Sequence, residues 1–162
     1  MSGISESAGE TDIKYEYPNE YCAQASTTGN MSGVFDMCGG AWEYVAAYIN
    51  NSNESIYAKK LVDSDSRYKE IYQVGLSDEE ELNYSMNSRK CGDAIYEVSS
   101  NGKNSPIGWN GDYSYFSCLS DPFLIRGGNY YDNIRAGVFA FGRGYGSAYI
   151  KMSFRVVISV MS

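Results

Sequence analysis

The chain has 162 residues with 13 basic and 20 acidic side chains, a formal charge of -7, and no histidine. That length suits one domain with a modest single core, and the negative balance stands against a phosphate-tracking nucleic-acid binder. The missing histidine removes Ser-His and Cys-His catalytic arrangements and the commonest metal ligand. No run of about 18 apolar residues is present to span a membrane, and the small, polar, acidic start has no signal-peptide core. Residues 1–12 read as a disordered lead and residues 13–162 as one domain. Residues 41–44 follow Gly39-Gly40, which breaks any preceding helix, and read as a strand. Residues 50–54 form a polar loop, and residues 55–74, with Ile56, Leu61, Tyr68, Ile71 and Tyr72 among charges, hold one or two short helices. Ser77 followed by Glu80 fits a capping box, and the acidic run 78–81 loads the positive end of a helix dipole. This helix is predicted to end near Lys90, with Leu82 and Met86 four apart on one face. The acidic run reads as a solvated helix start rather than a metal site.

Residues 99–112 read as loop, with Asn101-Gly102, Pro106 and Gly108 as turn signals. Asp121-Pro122 is a turn, and residues 123–126 are a strand that stops at Gly127-Gly128. Residues 137–141 are predicted as a short apolar strand. In residues 153–160, Phe154, Val156, Ile158 and Val160 point one way while Ser153, Arg155 and Ser159 point the other, the alternation of a strand. Asp63-Ser64-Asp65-Ser66 has the opening of a calcium loop but lacks the glycine and distant glutamate that complete one. Cys22, Cys38, Cys91 and Cys118 contain no C-x-x-C pair. They admit three full pairings, and buried free thiols are an equal alternative. The fold class is α+β with a loop-rich C-terminal half.

Two stretches resemble the formylglycine-generating-enzyme (sulfatase-modifying factor) family. The run GNMSGVFDMCGGAWEYV at residues 29–45 looks like that family's N-x-x-G-[LV]-[YF]-D-M-x-G-N-V-W-E-W. Arg126-Gly127-Gly128-Asn129-Tyr130, with Ser153-Phe154-Arg155-Val156-Val157 later, looks like its R-G-G-S-W segment and closing G-F-R-[VL]-V strand. The resemblance implies a C-type-lectin-like fold with few short strands, about two helices and long structured loops. It gives Trp42 and Tyr44 the role of core aromatics, Asp36 and Arg155 that of polar anchors, and Gly127-Gly128 that of a close backbone approach. The family's copper chemistry does not carry over. Its cysteine pair lies after R-G-G, whereas no cysteine follows Cys118 here, and relatives with iron chemistry use histidines. The resemblance therefore implies the fold without the enzyme. The runs 25–30, 40–44, 92–97, 112–116 and 122–128 also resemble variable proteins of diversity-generating retroelements and C-terminal domains of Firmicutes surface and pilin-like proteins. In those proteins the fold displays a hypervariable C-terminal surface. Cys38 and Cys91 stand where that pattern has Ser and Tyr.

Residues 129–150 are the candidate display segment. Tyr130, Tyr131, Tyr145 and Tyr149 lie among Gly137, Gly142, Gly144 and Gly146, with Asn129, Asp132, Asn133, Arg135, Arg143 and Ser147 as the polar part. Tyrosine supplies large, rigid, amphipathic contacts at low entropy cost, and Gly, Ser and Asn let the backbone adapt. Val138, Phe139 and Phe141 read as buried staples. Adenine-directed mutagenesis of Asn codons does not yield Lys, Glu, Gln, Met or Trp, and residues 129–150 contain none of these. The expected function is a ligand-binding display domain that is not an enzyme. Its partner is a protein or a cell-surface ligand, and its location a bacterial cell surface or a phage particle. No nucleic acid and no cofactor are expected, although the fold admits a structural calcium ion. Two alternatives stand beside it: a structural pilin or virion domain whose tyrosines only pack, and a fold-related enzyme without the copper site.

Overall fold

In the computed structural model β1 (Trp42–Asn50) runs through the middle of the sheet. The structure describes residues 40–50, 57–75, 79–88, 94–103, 111–132, 135–137 and 139–155. Along one edge of β1, the antiparallel strand β3 (Phe123–Arg126) pairs with both its halves, and β4 (Phe141–Gly144) pairs antiparallel with β3. The other edge is shared by two parallel partners. β2 (Glu70–Gln73) takes residues Ala47 to Asn50, and β5 (Met152–Phe154) takes Trp42 to Tyr44. Three short helices complete the described residues: α1 (Lys59–Val62), α2 (Glu80–Met86) and α3 (Ala94–Val98). This is an α+β arrangement, and none of its helices is long and apolar enough to cross a membrane.

The strand predicted at 41–44 continues to Asn50. Its β1–β3 register shifts between Tyr44 and Tyr48, and beyond the shift Ala47, Tyr48 and Ile49 are buried in succession. Ala47 and Ile49 pack into a cluster on one face and Tyr48 packs against Phe123 on the other, and burial on both faces erases the alternation that a half-buried strand shows. Residues 123–126 form the strand expected of them. The strand predicted at 137–141 begins instead at Phe141 and runs through glycines. A Cβ on Gly142 would lie 3.3 Å from Ile125, and one on Gly144 2.7 Å from the Tyr44 hydroxyl. The neighbouring strands' side chains thus fill the space over β4, which hides its apolar pattern. Before it, Ala140 N–H donates to the Gly137 carbonyl at 2.9 Å and turns the chain.

The predicted acidic helix is shorter than expected. It ends at Met86, and Lys90, Ser77 and Asp78 lie outside the described residues. Leu82 and Met86 do share a face, but the exposed one; Asn83, Tyr84 and Asn87 are buried. The Asn87 amide donates to the Gln73 carbonyl and accepts from Gln73 N–H, both at 2.8 Å, and Asn83 Oδ1 accepts from Gly75 N–H at 2.7 Å. Two buried amides therefore stitch α2 to the end of β2, with their polar groups satisfied. Residues 55–74 contain α1 and a 3-10 turn at Ser66–Tyr68, followed by β2, a strand the sequence reading missed. α3 was likewise unexpected; only Ile95 and Val98 mark its buried side.

Two hydrophobic clusters flank the sheet. Phe116, Tyr84, Tyr72, Ile95, Leu124 and Phe141 belong to the first, which lies under α2 and α3. Trp42, Ile125 and Ala140, with Tyr44, Tyr113 and Met152 packed against them, make the second. Leu124 and Ile125 are consecutive in β3, so the clusters occupy opposite faces. Trp42 is buried, as the resemblance implied; Tyr44 is half-buried, and Arg155 pairs with Glu43. Cys118 is a buried free thiol, its Sγ 3.1 Å from Ser120 Oγ. Outside the described residues lie the lead 1–12, the motif residues 29–39 with Asp36, Cys22, Cys38, Cys91, Asn133, Val138 and residues 156–160.

Candidate ligand-binding surface

The display segment leaves β3 at two glycines. Gly127 and Gly128 have φ of +91° and +75°, a left-handed backbone that glycine adopts without strain. A Cβ on Gly128 would sit 2.6 Å from that of Ala136, so the close approach implied for this pair is present. The following turn satisfies itself. Asn129 N–H and Nδ2 both donate to Asp132 Oδ2 at 2.7 Å, and Asn129 Oδ1 accepts from Tyr131 N–H at 2.8 Å. Tyr130 N–H ties the turn to the Gly40 carbonyl at 3.2 Å. The polar side chains face inward and the rings outward.

Three further ties hold the segment against the second face of the sheet. Buried Asp112 accepts from Phe139 N–H at 3.2 Å, and Gly137 is so close that a Cβ there would lie 2.2 Å from the Asp112 carboxylate. Burial raises the Asp112 pKa above its ordinary value, and the bond from Phe139 offsets only part of the rise. The Tyr44 hydroxyl accepts from Gly146 N–H at 3.0 Å and donates to the Ser147 carbonyl at 3.4 Å. Desolvation lifts this phenol's pKa, so it stays a neutral donor. Trp42 N–H donates to the Lys151 carbonyl at 2.8 Å, and Met152 N–H to that of Tyr149 at 2.9 Å.

With the backbone fixed this way, the tyrosines stand clear. Tyr130, Tyr131, Tyr145 and Tyr149 are 40%, 60%, 58% and 58% exposed. The rings of Tyr130 and Tyr131 are 4.2 Å apart at centroid, and the Lys151 ammonium lies 3.9 Å from the Tyr131 ring centre. The Tyr130 phenol is held above its ordinary pKa, first by a side-chain hydrogen bond with Tyr131 and then by slight desolvation and the nearby Tyr131 and Tyr149 hydroxyls. Arg135 is exposed, and its N–H donates to the Asp132 carbonyl of the same turn at 3.0 Å.

Four other candidates are placed elsewhere. Asn129 is buried and Asp132 half-buried, and their side chains are engaged in the turn. Ser147 is half-buried and offers its carbonyl to Tyr44. Arg143 alternates with Gly142 and Gly144 and so projects to the helical face. There it pairs with Glu80 of α2, lies 3.5 Å from Asp121, and stacks over Tyr115 at 5.1 Å. Asn133 lies outside the described residues. Of the three staples, Phe141 is fully buried and Phe139 half-buried.

The exposed surface also reaches residues that sequence reasoning left out. Ile150 is 82% and Phe154 74% exposed, and Lys151 joins the tyrosines through its contact with Tyr131. The signal available was the run of large side chains past residue 149; the strand alternation at 153–160 concealed it. Asp65 already caps the 3-10 turn and pairs with Arg67 at 3.1 Å, which lowers its pKa. Among the described residues, no three His, Cys, Asp or Glu side chains converge as a metal site. Comparison with family models, with curated proteins and with solved structures finds no match to the chain.

Proposed function

We propose that this domain is a binding module, not an enzyme, and that a C-type-lectin-like frame presents its C-terminal segment to a protein or cell-surface ligand. The observation that carries this is the division of labour within residues 129–150. Backbone and small polar groups are consumed by internal bonds, while Tyr130, Tyr131, Tyr145 and Tyr149 all project into solvent. Buried amphipathic tyrosines would instead favour a packing role, so exposure supports contact over packing. Its rim includes Arg135 and Ile150 and, beyond residue 150, Lys151 and Phe154.

The motif resemblance supports the lectin-like frame, and the lack of histidine and of any cysteine after Cys118 supports the non-enzymatic role. The residue types in 129–150 support diversification by adenine-directed mutagenesis. One observation tests that last element: the DNA beside the gene. A near-copy of the codons for residues 129–157, differing only at adenines and next to a reverse transcriptase, is the expected finding. Its absence removes the retroelement origin and leaves the binding role standing. The binding role is tested by replacing the four tyrosines with Ser. Partner binding is lost while the melting temperature holds; a large stability loss would make them packing residues of a structural domain.

A further inference from the structure

The exposed cations of this acidic chain are unevenly placed. Among the described residues, Arg67, Lys103, Arg143 and Arg155 have carboxylate partners, and the Lys69 ammonium lies on the Leu61 and Val62 carbonyls. Arg135 and Lys151, both at the tyrosine surface, show no carboxylate partner among those residues, nor do Lys59 and Lys60. Lys59 and Lys60 open α1, whose preceding residue Ala58 has its Cβ 3.2 Å from where a Cβ on Gly146 would lie. The side chains of both lysines belong to exposed or largely exposed residues beside the display segment. A protein of net charge -7 thus carries a cationic, aromatic face that also exposes Ile150 and Phe154.

On the opposite side of the sheet the reverse holds. α2 exposes Leu82 and Met86, four apart, with Glu79 and Glu81 beside them. α3 packs on α2 through Tyr84 and Tyr96, whose ring centres are 4.4 Å apart, and adds exposed Glu97. Among the described residues the cations there are Lys103, a loose 3.6 Å partner of Glu81, and Arg143, which Glu80 already neutralises. This face is apolar at its centre and acidic at its rim. The two faces lie on opposite sides of one sheet and cannot meet within a chain. Between chains, their charges and apolar centres complement each other.

We propose that a second copy of this chain is the occupant: the tyrosine face of one molecule docks on the α2–α3 face of the next, head to tail. Such a contact is heterologous, so it builds rings or open chains rather than a closed twofold dimer. A highly hydrated anionic polymer would satisfy the lysines but leave Ile150 and Phe154 in water, whereas the α2 face covers both kinds of group. Aromatic side chains bury roughly 150–250 Å² each when fully covered, so half-exposed ones and two aliphatic partners give an interface at the small, transient end. Self-association is therefore weak, concentration-dependent and salt-sensitive. It goes beyond the binding role proposed above, because it is read on mass and not on a foreign ligand.

Sedimentation equilibrium of the full chain tests it. At low salt the weight-average mass rises above the 18.0 kDa monomer with concentration. It returns to the monomer near 1 M salt, where the screening length is about 3 Å. Lys59→Glu/Lys60→Glu/Lys151→Glu and Glu79→Lys/Glu81→Lys/Glu97→Lys each stay monomeric alone. Mixed, they associate again, since each supplies one native face and the two reversed faces also match. A wild-type chain that stays monomeric at low salt overturns the proposal, as does association undiminished by salt. Association of the α2–α3 variant at the wild-type level also overturns it, in favour of a twofold contact through the tyrosine face. A mixture of the two variants that remains monomeric, both being folded by circular dichroism, overturns it as well.

Discussion

The sheet's helical side and its display side are held in place by different means. Under α2 and α3, order comes from side chains: Phe116 is fully buried, with the rings of Tyr72, Tyr84 and Tyr96 at 5.2, 5.6 and 6.4 Å. On the display side, above the smaller cluster of Trp42, Ile125 and Ala140, the segment itself is held through its backbone. Glycines allow close approach, Asp112 and Tyr44 hold amides, and the large side chains are left over. A surface can therefore change its exposed residues without disturbing the core, provided the few ties beneath it are kept.

The sharpest way to break this contrast is to truncate on each side. Phe116→Ala is expected to cost about 3–5 kcal/mol, because the aromatic cage cannot collapse fully into the space left. Tyr149→Ala, as a solvent-exposed change, should stay within about 0.5 kcal/mol. Urea unfolding of both variants checks the pair, and similar losses would dissolve the distinction. Next in size is Gly128→Ala. It adds a Cβ at φ +75° and 2.6 Å from Ala136, at a cost of roughly 1–3 kcal/mol. It also displaces Tyr130 and Tyr131, so the near-ultraviolet circular dichroism of their stacked rings is expected to fall.

Arg143→Met sharpens the contrast further, since this residue belongs to the display segment but points to the helical side. Its partners Glu80 and Asp121 are 23% and 19% exposed, and it is itself 24% exposed. Removing it takes the Arg143 charge away from both carboxylates, for an expected loss of about 1–2 kcal/mol after allowance for solvent screening. Thermal unfolding measures it, and partner binding should survive, because Arg143 does not reach the tyrosine face. The smallest effect has the opposite sign. Burial holds the Asp112 carboxyl above its ordinary 3.8. The folded state thus binds that proton more tightly than the unfolded chain. Its contribution favours folding at acid pH and is lost as pH rises through the raised value. Asp112→Asn keeps an acceptor for Phe139 and removes the charge. It is expected to raise the melting temperature at about pH 7 and to change it little near pH 3, where both forms are neutral.

Legibility in the sequence followed the same division. β3 could be read because Phe123-Leu124-Ile125 is an apolar run bounded by a turn and two glycines. β4 could not, since Gly142 and Gly144 leave no apolar pattern and the side chains that fill the space belong to Ile125, Trp42 and Tyr44. α2 showed its acidic start but not its buried face, where two asparagines flank Tyr84 at positions in which hydrophobic periodicity looks for leucine. In the candidate surface, the tyrosines stood out by clustering. Asn129 and Arg143 did not separate from true contact residues. A local turn claims the first, and the partner of the second, Glu80, is 63 residues away in the chain. No local pattern reports a contact that tertiary packing alone creates.

The divided edge of β1 has a bearing on how the display segment tolerates insertion. Arg126 stands opposite Glu43 on one side of β1, and Met152 stands beside Trp42 on the other. Residues 127–151 therefore run between points about two strand spacings apart, roughly 10 Å, and touch the sheet once on the way, where β4 pairs with β3. The stretches on either side of β4, residues 127–140 and 145–151, pay for added length only logarithmically, about 0.6 kcal/mol per doubling. The segment is thus a cassette: residues inserted at the exposed Tyr130–Tyr131 tip or around Ile150 change what the domain presents, while the strands on which it stands keep their register.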